Sequence, residues 1–146
     1  MNWTRVLIAG VAAGIATNLA DFVMHGVIMA KTYTKYTQVF SQTQANPLWF
    51  LLVALCLSVS AAILFGKTRV SWAAGWKGGA TFGFFLGLVG FWPGFYHPLT
   101  IDGFPYYLSW CWGGITLIDA VIAGSVLGAS GLSGSSAGHT RQRGYQ

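Results

Sequence analysis

Ala16-Thr17-Asn18-Leu19-Ala20-Asp21-Phe22-Val23-Met24-His25 sets an Asn, an Asp and a His inside an apolar run that extends from about residue 5 to residue 30. About 20 apolar residues cross the hydrocarbon core of a bilayer, so the run is long enough to span one. At 100° per residue, Asn18, Asp21 and His25 fall within one narrow arc of a helix, with Thr17 beside them. Gly10 and Gly14 lie on that same arc. Glycine lets a second helix approach closely, and polar groups are costly against lipid. This face must therefore look into protein.

Three further apolar segments follow, at about 48–65, 72–95 and 106–129. The second opens just after Asn46-Pro47, a helix-start signal. An all-α, four-helix transmembrane bundle is predicted, occupying residues 1–129, and 146 residues leave room for one such domain. Composition agrees: 54% of residues are hydrophobic and 8% charged, against roughly 25% charged in soluble domains. Arg5 ahead of an apolar run resembles a signal peptide, but the run exceeds the usual h-region of roughly 7–15 residues, so a retained helix is expected. After Ala129 the chain turns to Ser and Gly and then to His139-Thr140-Arg141-Gln142-Arg143, which reads as a flexible cytoplasmic tail over 130–146.

The formal charge of +5 does not point to nucleic acid, because the basic residues flank the apolar segments. Arg5, Lys67, Arg69, Lys77, Arg141 and Arg143 fall on one side of the membrane and Lys31 and Lys35 on the other. The positive-inside rule then places both termini in the cytoplasm. Cys56 and Cys111 both lie in apolar segments without metal-ligand spacing and read as two membrane thiols.

Gly75, Gly79, Gly83 and Gly87 repeat every fourth residue of the third segment, forming a ridge for close helix packing. The fourth segment carries a second small-residue line, Gly113, Ala120, Gly124 and Gly128. Such ridges serve either packing within the bundle or a dimer face. The second segment, rich in leucine, is expected to be the most lipid-exposed. Asp119 lies about 120° around from the small line, aligned with Trp112 and Thr116.

Counting about 1.5 Å per residue from the outer helix ends, Asn18 and Asp119 come out nearly level, with Asp21 one turn higher and His25 another turn above. If the first and fourth helices pack together, Thr17, Asn18, Asp21, His25, Thr116 and Asp119 make a buried polar seam. A lone carboxylate at that depth is satisfied by a proton and hydrogen bonds, by a cation, or by water. Asp21 and His25, four apart, form a local pair. For Asp119 the candidates are Asn18, Thr17, Thr116, water, a metal or another subunit. The aromatic stretch from Phe91 to Trp112, containing His97, Asp102-Gly103 and several prolines, reads as an interfacial belt, or else as a lid over the seam or a docking surface. Asp102-Gly103 itself suggests a tight turn.

No GxSxG, HExxH, Walker or GxGxxG pattern stands in a suitable context, so no catalytic residues and no enzyme activity are expected. The small-residue start of the first helix, its intramembrane Asn and Asp, and the Asp of the fourth helix resemble a group of small uncharacterised four-span proteins of bacterial inner membranes. That resemblance implies an inner-membrane location and no particular activity; the Ser/Gly tail departs from it. Three functions stay open. One is a non-enzymatic accessory subunit, its glycine ridges packing in a larger membrane complex or homo-oligomer. Another is a small proton-linked or solute transporter using the polar seam. A third is haem, pigment or metal binding through His25, with His97 and Asp21 as weak further metal candidates. Beyond that, no cofactor is specified. Expected partners are the lipid bilayer and other protein chains, not nucleic acid.

Overall fold

The computed structural model describes residues 1–40 and 46–132. Four long helices make up the chain: α1 (Trp3–Asp21), α2 (Pro47–Thr68), α3 (Gly75–Phe91) and α4 (Tyr106–Ala129). Each belongs to a helical run long and apolar enough to cross a membrane, the runs being Trp3–Ile28, Pro47–Ser71, Gly75–Thr100 and Tyr106–Ala129. An all-helical four-span membrane fold is therefore what the chain adopts. Most of the expected tail, with His139, Arg141 and Arg143, lies outside the described residues.

Local chemistry sets where the helices begin. Asn2 caps α1 by accepting from the backbone N–H of Arg5 at 3.2 Å. Asn46 caps α2 by accepting from the N–H of Leu48 at 3.0 Å, with Pro47 in the first turn where a missing N–H costs nothing. The turn at Asp102-Gly103 forms as expected, and Gly103 takes a φ of +72° that a side chain would strain.

Two antiparallel hairpins, α1–α2 and α3–α4, lie side by side through an α1–α4 contact. The most extensive pairing is α3 with α4, and glycine is its cause. A Cβ built on Gly79 would lie 2.8 Å from the Cα of Gly128, and one on Gly124 would lie 2.8 Å from the Cα of Gly83. At Gly87 it would meet the Cα of Leu117 at 2.9 Å, and at Gly113 the ring of Phe91 at 2.7 Å. The two ridges interlock backbone to backbone, so both are used within the chain. Gly75, the first residue of α3, lies beside this seam: its carbonyl meets Gly128.

On α1 the buried residues Val6, Ala9, Gly10, Ala13, Gly14 and Thr17 follow three- and four-residue spacing. Gly10 and Gly14 pack on α2, with built Cβ atoms 2.9 Å from the Cα of Val59 and 3.0 Å from that of Leu55. A core of Val6, Ala13, Ala62, Phe65, Phe82 and Leu127 joins all four helices at the end where the chain termini of the bundle meet. Arg69 closes that end by donating to the carbonyl of Leu132 at 3.1 Å. Between 28% and 33% of each span is buried inside the chain, so most of each apolar surface faces outward, as a bilayer requires. The lowest share, 28%, is held jointly by α2 and α3. The expected distinction of α2 is absent because α3 buries glycines and leaves Phe84, Phe85 and Val89 outside.

A methyl group tests the ridge directly. Gly83→Ala drives a Cβ to 2.9 Å from the Cα of Val121 and is expected to destabilise the bundle by about 1–3 kcal/mol. Gly114→Ala meets nothing within 4 Å and is expected to leave stability unchanged or slightly raised. Thermal unfolding of both variants in detergent, followed by circular dichroism, separates the two outcomes.

Candidate functional site

Past Asp21 the first span changes its winding. Phe22–Ile28 is a π-helix, closed by bonds such as Met29 N–H to Met24 C=O at 2.9 Å. Bonds to the fifth residue back are rare and gather at functional positions. The wider turn re-aims every side chain after Asp21, and His25 sits at its centre. A short helical turn, Ala30–Tyr33, then carries the chain back over the bundle.

Here a run of polar groups links the chain's interior to its loop end. The indole N–H of Trp112 on α4 donates to the hydroxyl oxygen of Tyr33 at 2.9 Å. That hydroxyl also meets Nδ1 of His25. Nε2 of His25 faces the Oδ1 of Asp21 at 3.7 Å. Asp21 lies within electrostatic reach of Asp119 across the α1–α4 interface. Oδ1 of Asp119 is buried, with no hydrogen-bond partner among the described residues.

Donor chemistry gives the run a direction. Trp112 can only donate, so Tyr33 accepts from it, and the single Tyr33 proton is shared between two acceptors, Nδ1 of His25 and Sδ of Met29 at 3.8 Å. A neutral His25 accepting at Nδ1 carries its proton on Nε2, the nitrogen that faces Asp21. A hydrogen bond between Asp21 and Asp119 then needs a proton on one of the two carboxyl groups, since a carboxylate only accepts.

Rings seal the loop end of this run. Tyr33 stacks on His25 and meets Phe40 at 4.9 Å between centroids. Phe40, Phe104 and Trp112 contact one another, and His97 stacks on Phe104 at 5.4 Å. Phe104 is 7% exposed and belongs, with Met29, Leu108 and Ile115, to a second buried core. Meanwhile Trp92, Tyr96, Tyr106 and Trp110 are all more than half exposed. The aromatic stretch thus divides, one set capping the polar run and the other facing outward at the depth of an interfacial belt.

Among the predicted seam residues, Asp21, His25 and Asp119 come together and Asn18 is half-buried. Thr17 does not join them. Its hydroxyl donates to the carbonyls of Ala13 and Gly14 at 3.1 Å and lies 3.4 Å from the hydroxyl of Ser58 on α2. Thr116 is exposed and sets its methyl against Gly90 of α3. Asp119 finds Asp21, which was not among its expected partners. Straight helices of equal rise, measured from their ends, set it level with Asn18, one turn below Asp21.

The metal candidates do not converge: Nδ1 of His97 is 2.9 Å from the carbonyl of Gly94, and both nitrogens of His25 already face protein groups. Among the described residues no three His, Cys, Asp or Glu side chains are placed to share an ion. Cys56 and Cys111 are free thiols. Tyr33 and Phe40 were missed, because the loop has no apolar period of its own. One signal was legible: His25, Met29 and Tyr33 stand four apart, continuing one helical line beyond the span. No known protein family, curated protein or solved structure matches the chain.

Tyr33 lies outside the spans, and burial pushes its hydroxyl above the ordinary value of 10.0, with the Trp112 hydrogen bond pulling the other way. The unfolded chain loses this proton first as pH rises, so the native state binds more protons there and stability falls as pH passes the ordinary tyrosine range. Tyr33→Phe is expected to reduce that alkaline loss, read from unfolding midpoints at neutral and alkaline pH.

Proposed function

We propose that the protein is a small proton-linked membrane transporter in which Asp21, His25 and Asp119 take up and release the coupling proton. The observation that carries this reading is the alignment of His25, Asp21 and Asp119, with Nε2 of His25 3.7 Å from Asp21 and Asp119 facing Asp21 across the α1–α4 interface. Ionisable groups inside a membrane are costly, and a chain of Asp and His side chains is what a proton relay needs. At the other end of the bundle, Val6, Ala13, Phe65, Phe82 and Leu127 pack into an apolar core. The run therefore reaches toward the loop end and not through the opposite, apolar end of the bundle.

The accessory-subunit reading drew on the glycine ridges as surfaces for partners. Gly79, Gly83 and Gly87 close against α4 of the same chain, the within-bundle packing that reading also included. Haem or pigment ligation by His25 would require breaking a contact at one of its two ring nitrogens. Placement of the termini in the cytoplasm and of the Tyr33 end outside rests on the distribution of Lys and Arg, and a bacterial inner membrane on the resemblance alone.

Infrared difference spectroscopy across a pH titration of the bilayer-reconstituted protein tests the relay without needing the substrate. A carboxylic-acid C=O band that titrates, and that Asp119→Asn or Asp21→Asn removes, is the expected result. A spectrum in which neither substitution changes any titrating band overturns the proposal.

A further inference from the structure

The segment that follows the first span, Ala30–Phe40, is attached to the bundle in an unusual way. Its backbone hydrogen bonds among the described residues close on Met29 or within the segment itself, as in Tyr33 to Met29, Tyr36 to Tyr33 and Phe40 to Tyr36. What holds it down is side chains. Tyr33 bonds His25 and Trp112, Phe40 packs on Phe104 and Trp112, and Tyr36 meets Tyr107 at 6.3 Å between ring centroids. Val39 lies against Gly103, whose built Cβ would be 3.6 Å from it. A unit whose backbone bonds are self-contained can lift without breaking a helix ladder, and such units supply the low-stability openings of a protein.

We propose that Ala30–Phe40 is a strap and Tyr33 its latch, holding Nδ1 of His25 shut until the strap lifts. This rests on the relay reading, for which it names the point of control. With the strap down, the Tyr33 hydroxyl occupies the nitrogen through which His25 would exchange a proton with the loop end. Lifting the strap withdraws that hydroxyl and parts the stack of Tyr33 on His25. Water then reaches Nδ1, while Nε2 stays facing Asp21. Lys31 and Lys35 ride on the strap and favour its return to the membrane surface over deeper burial. Tyr33 is thus a positioning residue, acting through His25.

Chemical access to His25 reads the latch independently of proton exchange. Diethylpyrocarbonate modifies an unengaged imidazole nitrogen, and the rate at the His25 peptide is followed by mass spectrometry against a free histidine peptide. Tyr33→Phe keeps the ring and removes the hydroxyl's contacts with His25, Trp112 and Met29, and is expected to raise that rate roughly tenfold. A second variant guards against misfolding. Tyr36→Cys with Tyr107→Cys, in a Cys56→Ser, Cys111→Ala background, is bridged by a short bis-methanethiosulfonate linker to hold the strap down. The bridged form is expected to react more slowly than the same protein after reduction. Equal His25 rates before and after reduction overturn the latch, as does an unchanged rate in Tyr33→Phe. Because neither readout depends on carboxyl titration, loss of the relay and loss of the latch are told apart.

Discussion

Backbone contact between α3 and α4 is the constraint on which the rest depends. In lipid there is no hydrophobic gain from bringing two apolar helices together, so association relies on dispersion and on close approach. Gly79, Gly83, Gly124 and Gly128 supply that approach by presenting no side chains at the crossing. A helix seated that closely has little freedom to rotate. The face of α4 that carries Asp119 and Trp112 is thereby held toward α1 and the loop end, where both find partners. The polar run exists because an apolar surface elsewhere on the same helix is fitted without gaps.

The second constraint is satisfaction of polar groups away from water. Along the run Trp112 donates to Tyr33, the Tyr33 hydroxyl meets His25, His25 faces Asp21, and Asp21 lies near Asp119. Thr17 shows the purely structural solution, turning its hydroxyl onto its own helix and toward Ser58. The two differ in kind. A hydroxyl bonded to backbone carbonyls is finished, whereas Asp119 keeps a buried oxygen without a partner among the described residues.

Much of the fold was legible because membrane spans are written in long stretches of composition. Four apolar runs, the Asn46-Pro47 start and the glycine repeats each act over one helix, and each acts as its local chemistry requires. The α1–α4 polar contact was partly legible, since Asp21 and His25 share a face and Asp119 had nowhere else to go but inward. Three things were not. Thr17 and Asp21 lie close on a helical wheel yet serve different neighbours, because α1 crosses from α2 to α4 along its length. The approach of Asp119 to Asp21 depends on the relative heights of two helices, which neither segment specifies. Tyr33 sits in a loop whose placement no periodicity specifies.

Residue chemistry along the chain by itself determined that this is a four-helix membrane bundle, that one helix carries Asp and His on one face, and that glycine would bring helices into contact. Those properties follow from transfer free energy and steric size, which each segment carries with it. Tertiary structure decided which glycine ridge met which, that the ridges closed within one chain, and that Trp112, Tyr33, His25, Asp21 and Asp119 formed a single run. Such contacts depend on rotation, height and loop return, quantities shared between helices and carried by none of them alone.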